Sequence, residues 1–107
     1  MGKFGGFGGG GNMQQLMKQA QKMQQDMAKA QDELASSEVT AEAGGSMVTV
    51  IMTGDRKITS IKIKPEAVDP TDVEMLEDLI IAAINEASKK VDELSAELMG
   101  PYAGMLG

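Results

Sequence analysis

The side chains able to do chemistry are few, and most of them are acidic. Asp69, Asp72, Glu74, Glu77 and Asp78 crowd carboxylates into one short stretch. Such a group can pass protons or hold a hard cation. Its spacing is not that of a calcium loop, and acids at the start of a helix have a structural use there, facing the positive end of the helix dipole. Histidine and cysteine are both absent from the 107 residues. That removes the commonest general base, the commonest metal ligand, thiolate metal sites and disulfides. The serines and Tyr102 have no histidine to activate them, and no Ser-Lys motif is present. A phosphate-cradling loop needs a strand before its glycines and a Lys-Ser or Lys-Thr pair after them. The glycines at positions 5, 6 and 8–11 have neither. The expectation is therefore no catalytic residue, no metal site, no cofactor and no small-molecule substrate.

The remaining chemistry is cationic. Lysine and arginine number 10 against 16 acids, for a net charge of −6. A chain of that charge repels a polyanion on average, so contact with nucleic acid needs a local basic patch. The cations fall in three places: Lys18, Lys22 and Lys29; Arg56, Lys57, Lys62 and Lys64; and Lys89 and Lys90. Each group is also what ordinary solubility would require. Lys22–Asp26, Lys29–Glu33 and Glu86–Lys90 stand four residues apart and can pair along a helix. The only aromatics are Phe4, Phe7 and Tyr102, which leaves the strands without a base-stacking platform.

These residues must be carried on regular elements. Residues 1–11 form a glycine-rich segment expected to be a disordered tail. Asn12 is a suitable cap for a following helix. Met13, Leu16, Ala20, Met23, Met27, Ala30 and Leu34 then recur in alternating steps of three and four, a heptad stripe. The spacing predicts a helix over 12–36, about 37 Å long at 1.5 Å per residue. The period then changes to two. Val39–Ala43, Met47–Thr53 and Thr59–Lys64 read as three strands, separated by Gly44-Gly45-Ser46 and by Gly54-Asp55-Arg56-Lys57. Short connections make them an antiparallel meander with the middle strand central. Asp69-Pro70-Thr71-Asp72 is expected to open the last helix, with an acidic cap and proline at the first position. Its stripe is Val73, Leu76, Ile80, Ala83, Ala87, Val91, Leu94 and Leu98, widened by Met75, Leu79, Ile81, Ala82 and Ile84. Gly100-Pro101 stops it, leaving 100–107 as a flexible tail and 12–99 as one α+β domain of order α-β-β-β-α. No stretch approaches the apolar length of a membrane-spanning helix, and the N-terminus lacks the apolar core of a signal peptide. An intracellular protein without membrane contact is expected.

Self-association follows from the lengths. Strands of about six residues reach roughly 20 Å, and each helix is about twice that. The helices must project beyond one small sheet. The heptad stripe, the two-faced middle strand and the apolar run from Met75 to Ala87 all call for further cover. A homodimer supplies it, whereas a compact monomer would have to stack both helices on the sheet.

Three runs add a resemblance. Leu16-Met17-Lys18-Gln19-Ala20-Gln21-Lys22-Met23-Gln24 is followed by Glu33-Leu34. Ala43-Gly44-Gly45-Ser46-Met47-Val48 forms the second run. Val68-Asp69-Pro70 leads into Glu74–Ile80 and Ala82–Ala87 as the third. Together they resemble the YbaB/EbfC family of bacterial nucleoid-associated proteins over roughly residues 12–98. Ser46 departs from the family, whose members often place a third glycine there. The resemblance implies an intertwined, tweezers-like homodimer with helical arms projecting from a shared sheet. It also implies a cytoplasmic, nucleoid-located protein that binds DNA and regulates gene expression. Lys18, Lys22, Lys29, Lys89 and Lys90 stand at the arm positions that would meet the phosphate backbone, with low sequence specificity. The alternative expectation is a non-enzymatic scaffold whose arms grip a partner protein, which the methionine-rich stripe and net acidity favour.

Overall fold

The heptad stripe folds as one uninterrupted helix, α1, Gly9–Ser36. It begins three residues before the expected cap, so Asn12 lies inside the helix. Once a helix is nucleated, each added residue gains a hydrogen bond, and glycine's penalty of about 1 kcal/mol does not stop it at once. The computed structural model describes residues 9–102. The rest of the expected N-terminal tail, and residues 103–107 of the C-terminal one, lie outside the described residues.

A single residue, Ser37, separates α1 from strand β1, Glu38–Ala43. Strands β2, Val48–Thr53, and β3, Ile58–Ile63, complete an antiparallel sheet of order β1-β2-β3. Ala41 faces Val50, which faces Ile61; Ala43 faces Val48, which faces Ile63. These residues share one face of the sheet. A bulge between Ile51 and Met52 shifts the β2–β3 register. After a 3-10 turn at Pro65–Ala67, helix α2 runs over Val73–Met99, and a second 3-10 turn follows at Gly100–Tyr102.

The core is the seam between α2 and the sheet. Ala41, Val48, Val50, Met52, Ala83, Ala87 and Val91 are buried together. The two alanines, one turn apart, let the helix axis lie close to the strands. On its other face the middle strand presents Thr49, Ile51 and Thr53, all half-buried. That face is less apolar than the sequence pattern suggested. Helix α2 lies across β1 and β2, and β3 stands beside rather than beneath it.

Two turns depend on special backbone. Gly44, Gly45 and Ser46 all have positive φ, at 65°, 65° and 74°. Glycine suits position 44 best, since a side chain on Gly44 would be strained and its Cβ would displace the Leu79 methyl groups. Ser46 holds the left-handed conformation at a cost, offset by the hydrogen bond its hydroxyl donates to Glu42. At the second turn, Gly54 meets the end of α1. A Cβ at Gly54 would overlap the Leu34 carbonyl oxygen, and the Gly54 amide donates to the Ser37 carbonyl at 3.0 Å.

The start of α2 differs from expectation. The cap is Asp72, whose carboxylate accepts from the Met75 amide at 3.2 Å. Asp69 and Pro70 precede the helix instead of opening it. Asp69 closes a local turn, accepting from the Thr71 amide at 2.9 Å and the Thr71 hydroxyl at 2.7 Å. Both aspartates suit a cap; Asp72 stands three residues before the amide it accepts from, and Asp69 is taken by Thr71. The Thr71 hydroxyl, then its amide, hold the Asp69 carboxyl below its ordinary range. A depressed carboxyl stabilises the fold at pH above the ordinary carboxylate range, and that contribution is lost as pH falls through the depressed value. Thr71→Val should therefore move the Asp69 pKa back up toward the ordinary value. Carboxyl-carbon NMR titration of the two proteins checks this; an unmoved Asp69 would show that the hydroxyl is not the cause.

Candidate nucleic-acid interface

Helix α1 divides into two halves. Near the sheet, Asp26, Met27, Ala30 and Leu34 are half-buried, and the end of α2 lies alongside. Leu98, Pro101 and Tyr102 meet Asp26, Lys29, Ala30 and Glu33 around a shallow groove of about 330 Å³. Farther out, every residue from Met13 to Gln25 is exposed. This distal half projects beyond α2 as a single helix.

Lys18, Lys22 and Lys29 all stand exposed on α1. At 100° per residue they fall within an arc of about 40°. Their rises along the axis are about 6 Å and then about 10 Å. The apolar stripe of Met13, Leu16, Ala20, Met23 and Met27 occupies the opposite side of the helix. The three lysines thus form one cationic line, Lys18 and Lys22 on the free half of the helix and Lys29 at the edge of the groove with α2.

The remaining lysines fare differently. Lys89 is exposed on α2, away from that line. Lys90 is half-buried, and its ammonium donates to the Thr40 carbonyl at 2.7 Å. It covers an outward carbonyl of edge strand β1, a use of lysine that blocks unwanted strand pairing. The turn cations are also engaged. The Arg56 guanidinium pairs with Asp92 and donates to Ser88 on α2, and Lys57 lies 3.8 Å from Asp55. Asp55 accepts from the Thr53 hydroxyl, which with Lys57 nearby lowers its pKa.

The net charge averages over a marked asymmetry. No carboxylate occurs before Asp26. Lys3, Lys18 and Lys22 therefore give the first 25 residues +3, and the remainder carries 7 cations against 16 acids, or −9, which sums to the net −6. Counting charge separately for each half of α1 would have found it. The projecting half also presents Gln14, Gln15, Gln21 and Gln25, whose amides are neutral donors suited to phosphate oxygens.

Among the described residues no group of three or more acids is placed to hold a metal ion. None of the described helices is long and apolar enough to cross a membrane. Fold and surface together define a small helix–sheet–helix protein with a cationic arm on an acidic body.

The chain belongs to the YbaB/EbfC DNA-binding family, which it matches over residues 9–106. It is 53% identical over 106 residues to a nucleoid-associated protein of Ruminiclostridium cellulolyticum, covering 99% of this chain and 92% of that protein. It is 56% identical over 104 residues to a nucleoid-associated protein of Acetivibrio thermocellus, covering 96% and 92%. The crystal structure of an uncharacterized protein from Helicobacter pylori has the same fold, with a TM-score of 0.67 at 23% identity over 88% of this chain and 96% of that one.

Proposed function

We propose that this protein binds duplex DNA in the bacterial nucleoid as a homodimer, holding phosphates along the lysine line of α1. It reads little sequence and influences gene expression by occupying DNA. The carrying observation is the exposed stretch Met13–Gln25, which bears Lys18 and Lys22 and no carboxylate. Elsewhere the acidic body repels the polyanion, so contact is steered to the arm. A smooth helix face of lysine and glutamine suits phosphates and sugars, whereas base reading needs side chains shaped to groove edges. Lys29 continues the line, Lys89 stands aside from it, and Lys90 is left out because β1 already uses it.

The homodimer is supported by an apolar surface that one chain leaves open. Ile61 and Ile63 share the core face of the sheet, yet α2 does not cover them, and Ile61 is 42% exposed. Val68 and Ile81 are 55% and 56% exposed. Ile81 lies two turns before Ser88 on α2, and Ser88 receives Arg56 from the β2–β3 turn. That flank of the helix therefore faces the β3 side. Together these residues form a patch that a second copy can bury against its own.

The test is the double variant Lys18→Gln, Lys22→Gln, which retains helix propensity. Fluorescence anisotropy against two unrelated duplexes should show affinity falling by about tenfold or more on both, with a shallower salt dependence. Unchanged affinity would place the contact elsewhere. Loss on one duplex alone would overturn the low specificity.

A further inference from the structure

We infer that the distal half of α1 is a second self-association surface, on which another copy of this chain lays the same helix antiparallel. Leu16 is 62% exposed, and Met13, Met17 and Met23 are exposed beside it. The stripe continues the heptad alternation of a coiled-coil seam, so its natural partner is another helix of the same repeat.

The residues specify the register. With the two-fold axis opposite Lys18, Leu16 packs on Ala20 of the second copy and Met13 packs on its Met23. Each large side chain of the central layers thus meets the small one it needs, and the outer layers pair two adaptable methionines. Met17 and Gln19 flank the seam, so each meets its own copy near the axis without like-charge repulsion. The first carboxylate, Asp26, lies outside the overlap. Lys18 and Lys22 point away from the seam, so pairing leaves both ammonium groups free.

This surface is separate from the apolar patch beside β3. The chain measures 83 Å along its long axis, with the distal α1 at one end and the sheet toward the other. Two self-complementary surfaces on one chain join copies into assemblies larger than a closed dimer. An overlap of little more than three turns is short for a coiled coil, so the joint is reversible and strengthens with local concentration. The pairing itself needs neither DNA nor the β3 patch.

The chain has no cysteine, so introduced thiols report the joint cleanly. Leu16→Cys and Ala20→Cys proteins, mixed in equal amounts under mild oxidation without DNA, should form chiefly the mixed 16–20 disulfide. Homodisulfides as the main product would overturn the antiparallel register. Cross-linking no greater than for Lys62→Cys, on the sheet, would overturn the surface altogether. As a second measurement, the sedimentation mass of the native protein should rise beyond that of the dimer with concentration. Leu16→Glu should abolish that rise while the helical circular dichroism stays unchanged, because Leu16 contributes little to the fold of its own chain. A native mass that does not rise, or a rise that survives the substitution, would count against the proposal.

Discussion

Raising salt from about 50 to 200 mM should weaken duplex binding by about a thousandfold, the loss expected when about six phosphate contacts release their counterions. Six is the number that two copies of Lys18, Lys22 and Lys29 supply. The acidic body makes the dependence one-sided: screening removes attraction at the arm, and the relief of repulsion from the body is spread over a longer distance. Anisotropy over a salt series with two unrelated duplexes gives the slope, which should be equal for both. Binding that ignores salt would mean that the lysine line is not the contact. No binding at low salt would favour the partner-gripping scaffold.

The second large effect separates folding from association. Val50 is fully buried under α2, between Ala41 and Ile61 in the register. Val50→Asp puts an unpartnered carboxylate there, at a cost on the order of 4 kcal/mol. Against a total stability of about 5–15 kcal/mol, with the lower end expected for a chain this small, it should unfold the protein. Ile61→Asp changes the same face one strand over, where the side chain is exposed in the single chain. It should leave secondary structure intact and, in a Leu16→Glu background that removes the α1 pairing, convert the dimer to a monomer. Circular dichroism and sedimentation of the two variants together decide this. A folded Val50→Asp protein would contradict the core assignment, and a dimeric Leu16→Glu, Ile61→Asp protein would contradict the β3 surface.

What could be read beforehand follows the range of the interactions. The heptad of α1, the alternation of the strands and the glycine turns are local patterns, and the elements formed where those patterns lay. The opening of α2 was misplaced because Asp69 and Asp72 are both good caps, and only the hydrogen bonds of Thr71 decide between them. The role of Lys90 was hidden because its acceptor, Thr40, is fifty residues away in sequence. That α2 covers β1 and β2 but not β3 is a matter of where a helix rests on a sheet, which hydrophobic period does not encode. The charge split at Asp26 is a different case: it was present in the sequence and was lost by averaging over the chain.

The root of α1 has a mechanical consequence. Gly54 admits the Leu34 carbonyl against the β2–β3 turn, its amide holds the Ser37 carbonyl, and only Ser37 lies between helix and strand. The arm is therefore a cantilever clamped at the sheet, without a hinge. From the clamp to its tip, Ser36 to Gly9, the arm is about 40 Å long, so a tilt of about 10° at the clamp would carry the tip about 7 Å, about twice the 3.4 Å axial step between phosphates of one strand. Small changes in sheet twist would shift the arm's reach by a whole nucleotide. The aim of the lysines is set by the rigidity of a joint that contains none of them.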